Sequence, residues 1–247
     1  MMPLDVCTPF DVDEKTAKDA MDRTYEWAVK SKNAWLVQSE KTQVTSGHVQ
    51  PGQVPGHLFG IIQGNFFPHL RRQSAEQLVE LDLPGYAIGG LSVGENPDLF
   101  DEICGLTASC IPLDRPRYVM GIGTPEYILS AVAHGIDMFD CVFPTRIARN
   151  AMVFTADGTI NLRNEKYKLD QSGLDPECRC PSCTGYSRSY LRHLYKTKEI
   201  LASMLATRHN LWFLETFVEN IRKSINQNNF AAFKKAFLKR YMGRQNK

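Results

Sequence analysis

Three cysteines lie within six residues, Cys178, Cys180 and Cys183, and a histidine, His209, follows later in the chain. Thiolates and imidazoles are the ligands that zinc prefers, and a structural zinc site is closed by four of them. Cysteines two or three residues apart rarely reach disulfide geometry with each other. The spacing therefore predicts a structural Zn²⁺ site formed by Cys178, Cys180, Cys183 and His209.

The fourth ligand has an alternative, His193, which is nearer to the cysteines in sequence. A straight helix from Cys183 would place His209 about 39 Å away, so His209 completes the site only if the chain reverses. The segment 196–199 predicts that reversal, with Thr197 as the N-cap of a second helix. We expect His209 to be the ligand, and His193 stays the alternative.

Composition limits the class of protein. The chain has 247 residues, of which 43% are hydrophobic, which indicates a globular protein of one or two domains. No stretch approaches the roughly 20 apolar residues of a membrane span, and no signal peptide opens the chain, so we expect no membrane partner. Seven cysteines, three of them assigned to metal, favour a reducing compartment, and we expect a cytoplasmic protein. A net charge of +2 neither requires nor excludes a nucleic-acid partner.

The elements that position these residues follow an alternating pattern. Short apolar runs alternate with helical segments, which is typical of repeated βα units around a parallel sheet. The segment 152–163 predicts a hairpin, and Ser46–Gly56 predicts a loop. The predicted strands are Pro3–Cys7, Leu58–Gly64, Gly85–Leu91, Arg117–Gly123 and Ile136–Val142, and the predicted helices lie near Glu14–Lys32, Leu70–Leu81, Pro97–Ala108 and Pro125–Ala133.

Polar residues and glycines gather where the predicted strands end. They are Asp5 and Cys7, Gln63 and Gly64, Gly89 and Gly90, Gly121 and Gly123, and Asp140 and Cys141. Active sites of parallel barrels are built at this end of the strands. The pattern predicts a site for a flat, polar small molecule.

Five segments together resemble tRNA-guanine transglycosylase, also called queuine tRNA-ribosyltransferase. They are Gly60–Gly64, Tyr86–Glu95, Met120–Pro125, Gly135–Arg146 and the cysteine cluster. The resemblance implies an α/β fold, a (β/α)8 TIM-type barrel with a zinc-binding insertion after the last strand. This chain is expected to hold only about the last five strands and to lack the amino-terminal part. The expected regions are a partial barrel over 1–165, a zinc-binding subdomain over 166–215, and carboxy-terminal helices over 216–247 that pack on the barrel.

The resemblance also implies a reaction. The family exchanges guanine at the wobble position of the anticodon for a 7-deazaguanine base without cutting the RNA. Two successive displacements at the ribose C1′ need a carboxylate nucleophile, as in retaining glycosidases. The resemblance assigns this role to Asp140 and base binding to Asp5, Gln63 and Gly90. Asp137 is the rival nucleophile, but alternation along the strand would place it on the opposite face.

Two segments are expected to bind RNA by the same resemblance. The implied partners are tRNAs of the Asp, Asn, His and Tyr type, the 7-deazaguanine base and a second copy of the chain in a homodimer. Cys7 and Val93 are similar to the bacterial branch, which favours the smaller base preQ1 over queuine. The RNA-binding residues implied are Gly121, Ile122, Gly123, Thr124, Pro125, Glu126 and Tyr127, and Thr145, Arg146, Ile147, Ala148 and Arg149.

One departure from the family pattern keeps a second function open. The family carries a second aspartate, its general acid/base, in a Ser-Gly-Gly-Phe-Gln segment that this sequence does not contain. The alternative is therefore a catalytically silent fragment or subunit that binds tRNA or a partner. A simple zinc-ribbon nucleic-acid module is a third possibility, but it would leave the strand-end motifs without a role.

Overall fold

The computed structural model describes residues 1–44 and 56–243, and the predicted loop Ser46–Gly56 lies outside them except for Gly56. The chain divides into two compact units. The first comprises Met1–Ile122 and Tyr127–Cys141, and the second comprises Gly123–Glu126 and the residues from Val142 onward. Among the described residues, no helix is both long enough and apolar enough to cross a membrane.

The first unit is built from βα repeats. Four parallel strands form one sheet in the order β1-β2-β3-β4, which is also their order in the chain. The α/β class with a parallel sheet is therefore confirmed. The elements are α1 (Glu14–Val44), β1 (Phe59–Ile62), α2 (Pro68–Glu80), β2 (Gly85–Ile88), α3 (Pro97–Ser109), β3 (Arg117–Val119), α4 (Pro125–Ala133) and β4 (Met138–Phe139).

Buried strands and one face of each helix form the core of this unit. Both β1 and β2 are almost wholly buried, as expected for parallel strands that are covered on both sides. Asn96 caps α3 through its side chain, which accepts the Leu99 N–H at 2.9 Å, and Pro97 supplies the first helical residue. The first helix extends to Val44, well beyond the predicted end at Lys32, because neither glycine nor proline interrupts the segment.

The predicted strand Pro3–Cys7 is wrong. This segment has no regular secondary structure, although the Met1 carbonyl accepts the Phe59 N–H at 3.0 Å beside β1. Pro3 has no N–H to donate, and Val6 donates its N–H to the Thr24 hydroxyl at 3.0 Å. The segment therefore cannot complete a ladder with β1, and the described sheet has four strands rather than five.

The second unit joins a hairpin to helices. The hairpin prediction is confirmed by the antiparallel pair of β5 and β6. The chain reversal before His209 is also confirmed, but Thr197 ends α7 and Glu199 is the N-cap of α8, so the predicted cap is wrong. The elements are α5 (Phe143–Arg149), β5 (Met152–Thr155), β6 (Gly158–Asn161), a 3-10 helix (Glu165–Tyr167), α6 (Pro181–Gly185), α7 (Arg188–Lys196), α8 (Ile200–Asn226) and α9 (Phe230–Met242).

Asn210 connects the long helix α8 to the hairpin. Its side-chain oxygen accepts the Phe154 N–H at 3.1 Å, and its amide nitrogen donates to the carbonyls of Pro144 (2.9 Å) and Met152 (3.2 Å). The side chain is fully buried, so these bonds satisfy polar groups that would otherwise be costly to bury. They fix the position of α8 and therefore also the position of the preceding residue, His209.

Candidate active site and metal centre

Gln63 lies directly after β1, with its side chain buried at 2% exposure. Its side-chain nitrogen donates to Asp5 Oδ2 at 2.7 Å, and its backbone N–H donates to the Ser74 hydroxyl at 3.1 Å. The structure therefore brings together two of the three residues expected to bind a base. The pair offers a carboxylate acceptor next to an amide that can both donate and accept.

Gly89 and Gly90 follow β2 and lie against the same amide. A Cβ at position 89 would lie 2.5 Å from Gln63 Nε2, and a Cβ at position 90 would lie 2.6 Å from Gln63 Oε1. Gly90 also has a φ of +67°, in the left-handed region that favours glycine. Both glycines are needed for Gln63 to keep its position, which places all three predicted base-binding residues in one location.

Arg71, on α2, reaches the ends of the same two strands. Its guanidinium is fully buried and donates to the carbonyls of Ile62, Asn65, Gly89 and Gly90. Burial lowers the pKa of Arg71 to about 10. The side chain is therefore still charged at neutral pH.

A short loop after β2 is held by Glu95. Its carboxylate accepts the N–H groups of Ser92, Val93 (2.8 Å) and Gly94 (3.1 Å). A carboxylate that collects consecutive backbone N–H groups fixes the loop that carries Val93. Partial burial and the Asp5 charge raise the pKa of the Cys7 thiol, so Cys7 is protonated at neutral pH.

Asp140 lies directly after β4 and is exposed. Its Oδ1 atom accepts two hydrogen bonds, from the Tyr118 hydroxyl at 2.5 Å and from the Gly121 N–H at 2.9 Å. Burial, followed by the bond to Asp140, raises the pKa of Tyr118, so this hydroxyl remains a donor. Both of these hydrogen bonds hold the carboxylate through its Oδ1 atom.

The rival carboxylate Asp137 has a different location. Its Oδ2 atom accepts the N–H of Arg117, the first residue of β3, at 2.9 Å. Parallel pairing places Met138 beside Tyr118 and Phe139 beside Val119, so Asp140 lies at the C-terminal ends of the strands and Asp137 at their N-terminal ends. Gln63 and Gly90 also follow the C-terminal ends, so Asp140 shares their edge of the sheet and Asp137 does not.

The second unit contains a cluster of possible metal ligands. The ligand atoms of Cys178, Cys180, Cys183 and His209 all lie within 4.8 Å of one another. The Nδ1 atom of His209 is 3.5 Å from Cys180 Sγ and 3.3 Å from Cys183 Sγ. Zinc–sulfur and zinc–nitrogen bonds of ordinary length, arranged tetrahedrally, separate such atoms by about 3.5 Å. The four residues therefore fit a closed tetrahedral metal site.

The orientation of the histidine ring is fixed from behind. His209 Nε2 lies 2.7 Å from the Phe154 carbonyl, which leaves Nδ1 directed at the thiols. Such a second hydrogen bond is the usual support of a metal-binding imidazole. His209 is fully buried, whereas the alternative ligand His193 is exposed on α7 and lies outside the cluster.

The residues expected to bind RNA are divided by burial. Arg146 and Arg149 are exposed on α5, but Ile147 and Ala148 on the same helix are buried in the core. In the other segment, Gly121 is exposed, while Ile122 is buried in the hydrophobic core of the first unit. Of the remaining residues, Tyr127 packs edge-on against Phe100, and Thr145 donates its hydroxyl to the Val142 carbonyl. Gly123 and Pro125 are buried, and Thr124 and Glu126 are partly buried.

A comparison with known families agrees with this arrangement. The family model described as queuine tRNA-ribosyltransferase matches residues 1–243. The chain belongs to this family. The resemblance drawn from the strand-end motifs is thereby confirmed.

Curated members of the queuine tRNA-ribosyltransferase family are similar over nearly the whole chain. A queuine tRNA-ribosyltransferase of Caldanaerobacter subterraneus subsp. tengcongensis is 48% identical over 243 residues, which is 98% of this chain and 61% of the relative. Those of Desulforapulum autotrophicum and Francisella tularensis subsp. novicida are 46% and 47% identical, over 97% and 98% of this chain and 61% of each relative. The chain thus spans 61% of the length of these relatives.

Four residues of this family member were not singled out from the sequence. They are Arg71, Glu95, Tyr118 and Asn210, which fix the backbone or the side chains of the predicted residues. Each lies inside a helix or strand, or within a matched motif, and looks like an ordinary residue of that element. Only Glu95 had a signal in the sequence, because it lies in a matched motif directly after the small residues of a loop.

Proposed function

We propose that this chain carries the base-exchange site of a tRNA-guanine transglycosylase, which replaces guanine in tRNA by a 7-deazaguanine. The observation that carries the proposal is the position of Asp140, whose carboxylate follows β4 at the sheet edge where Gln63 and Gly90 follow β1 and β2. The candidate nucleophile and two of the candidate base-binding residues thus follow three strands of one parallel sheet.

Base recognition would use three kinds of group. Guanine presents N–H donors and a carbonyl acceptor along its edges. Asp5 accepts N–H groups, the Gln63 amide both donates and accepts, and the Gly90 N–H donates to the carbonyl. The Gln63–Asp5 bond of 2.7 Å holds the first two in place before any base arrives, which reduces the cost of ordering them on binding.

The exchange would proceed by two displacements at the ribose C1′. In the first, a carboxylate oxygen of Asp140 attacks C1′, the glycosidic bond breaks, and guanine leaves with the bonding electron pair and takes up a proton from water. In the second, the ring nitrogen of the incoming base attacks C1′, loses its proton, and displaces the carboxylate. Two inversions retain the configuration at C1′.

The hydrogen bonds at Asp140 suit these two displacement steps. Tyr118 and Gly121 both donate to Oδ1, which orients the carboxylate and stabilises its negative charge when it leaves in the second step. The same bonds would make it a better leaving group than an unassisted carboxylate. Oδ2 is the oxygen that we assign to the attack.

The partner would be a tRNA anticodon loop. The target nucleotide must leave the base stack to reach a carboxylate at the end of a strand. Exposed Arg146 and Arg149 are suited to phosphate and base contacts with a single-stranded loop. The tRNAs of the Asp, Asn, His and Tyr type and a homodimer remain part of the proposal.

Zinc would be held by Cys178, Cys180, Cys183 and His209. With four protein ligands it would supply a structural cross-link rather than an open site for chemistry. The cross-link would join α6 and the preceding loop to α8, because these elements carry the four ligands. We also infer that the four-stranded sheet is part of a (β/α)8-type barrel, since its strands are parallel and in chain order.

The decisive experiment is adduct trapping. The full chain is incubated with a tRNA that carries a GUN anticodon and is then run on a denaturing gel. We expect a slowly migrating adduct that Asp140→Asn abolishes and the control Asp137→Asn retains. An adduct that persists in Asp140→Asn would refute the assignment. Wild-type chain that binds tRNA but forms no adduct would favour the silent, tRNA-binding alternative.

A preference for preQ1 over queuine rests on Val93 and Cys7. A branched side chain at position 93, on a loop held by Glu95, would limit the space for a large substituent on the base. Competition of the two bases for the labelled-guanine site tests this preference. Equal affinity for both bases would contradict it.

A further inference from the structure

Arg71 has an unusual environment for a buried charge. Nε donates to Asn65 at 2.7 Å, Nη1 donates to Ile62 at 3.1 Å and Gly89 at 2.7 Å, and Nη2 donates to Gly90 at 3.2 Å, all at backbone carbonyls. Among the described residues it makes no salt bridge within 4.0 Å. A buried charge is costly unless hydrogen bonds compensate it, and here backbone carbonyls alone provide them.

Because the peptide bond is planar, a contact that holds a carbonyl also fixes the direction of the following N–H. A trans peptide is planar, with its C=O and the following N–H pointing in opposite directions. When Arg71 holds the Gly89 carbonyl, it fixes the direction of the Gly90 N–H. When it holds the Ile62 carbonyl, it fixes the Gln63 N–H, which donates to Ser74.

We propose that Arg71 is the positioning residue of the base pocket, setting the Gly90 N–H and the start of Gln63 for a guanine-type ligand. The proposal rests on the proposed function, since the ligand is the base of that reaction. Arg71 itself touches no substrate in this scheme and acts through the two strand ends.

The planar fork of arginine is essential to this role. One guanidinium spans four carbonyls on two strand ends and the following loop, whereas a lysine ammonium concentrates its donors at one point. Lysine would keep the charge but release at least part of this set. The same exchange should be harmless where an arginine holds a single carbonyl.

Arg117 provides that matched control in the same unit. It is also buried, at 6% exposure, and its Nη2 atom donates to one carbonyl, that of Ile111, at 2.7 Å. It begins β3, at the end of the sheet away from Gln63 and Gly90. Arg117→Lys should therefore test the general effect of a buried Arg→Lys exchange without touching the base pocket.

The first measurement is equilibrium dialysis of radiolabelled guanine with the full chain. We expect Arg71→Lys to bind guanine about tenfold more weakly or worse, the loss of roughly one well-oriented hydrogen bond, and Arg117→Lys to bind within about twofold of wild type. Urea unfolding checks that both variants fold. Equal affinity of Arg71→Lys and wild type would overturn the proposal.

The second measurement is hydrogen exchange of the peptide covering 85–95 in the chain without ligand. We expect faster exchange at positions 89–91 in Arg71→Lys and unchanged exchange there in Arg117→Lys. Unchanged exchange in Arg71→Lys would overturn the proposal even if guanine binding is lost. If wild type binds no guanine, the proposed function fails, and exchange alone decides whether Arg71 orders the strand ends.

A folding defect is also informative. If Arg71→Lys does not unfold cooperatively, the second variant is Arg71→Gln, whose side chain is uncharged but can still donate hydrogen bonds. We again expect weaker guanine binding and faster exchange at positions 89–91 than in the wild type. If neither variant folds, Arg71 serves the stability of the unit, and a positioning role is overturned.

Discussion

Gly89→Ala is the sharpest test of how the proposed base pocket is built. The new methyl would lie 2.5 Å from Gln63 Nε2 and 2.9 Å from Ile61 Cγ2, both closer than atoms can pack. Gly89 is not among the residues with positive φ, so the effect is one of contact rather than backbone strain. Because Nε2 is the end of a flexible side chain, Gln63 can move away, at the cost of its 2.7 Å bond to Asp5.

The magnitude follows from these contacts. One lost hydrogen bond costs about 1 kcal/mol, and an off-rotamer side chain adds about 0.5–1.5 kcal/mol. We therefore expect a loss of about 1–3 kcal/mol in the free energy of unfolding. Guanine affinity should fall further, by about 10- to 100-fold, since Gln63 and Asp5 would both lose their positions.

Urea unfolding and equilibrium dialysis of labelled guanine measure the two quantities. Gly56→Ala is the matched control, because among the described residues its Cβ would meet only Met1 Cγ at 4.0 Å, and it should leave both quantities unchanged. A Gly89→Ala chain with wild-type affinity would refute the reasoning, since Gln63 would then have moved without consequence. Equal losses in Gly56→Ala would show that the effect is not local.

Three further predictions concern other parts of the chain. Tyr118→Phe removes one of two hydrogen bonds to Asp140 Oδ1 and should slow the release of the adduct by the incoming base, followed in the gel assay, by about tenfold while leaving guanine affinity unchanged. Cys180→Ser should lose bound zinc, by metal analysis, and the folding of the second unit, whereas Cys110→Ser should keep both. Burial raises the pKa of Tyr195 to about 12 from 10.0, so its neutral form favours the folded state and urea unfolding should show stability falling as pH rises from about 10 to 12. Tyr195→Phe should reduce that fall.

The sequence predicted helices and strands well where local signals agree. Asn96 and Pro97 mark the start of α3, and the Gly158 position, with a φ of +101°, marks the hairpin turn. The segment Pro3–Cys7 was misassigned because its apolar pattern resembles a strand. Whether Val6 donates to a strand or to Thr24 depends on where α1 packs, which local pattern does not encode.

The clustering of the candidate metal ligands and of the strand-end residues was predictable for a related reason. Cys178, Cys180 and Cys183 are close in sequence, and their chemistry alone restricts what they can do. Asp140, Gln63 and Gly90 follow strands, and parallel strands bring their C-terminal ends to one edge. Topology accounts for their positions at the strand ends, whereas their proposed roles come from the family resemblance.

Arg71 was beyond such reasoning because its role is defined by carbonyls rather than by side chains. Every residue has a backbone carbonyl, so no sequence pattern marks the ones that an arginine will hold. The first sign is structural: four acceptors from two strand ends and a loop meet one guanidinium. Position 89 contributes in two ways. The absence of a side chain leaves room for Gln63, and the backbone carbonyl accepts a hydrogen bond from Arg71 at 2.7 Å. The proposed base pocket is therefore defined as much by backbone geometry as by the side chains of its motifs.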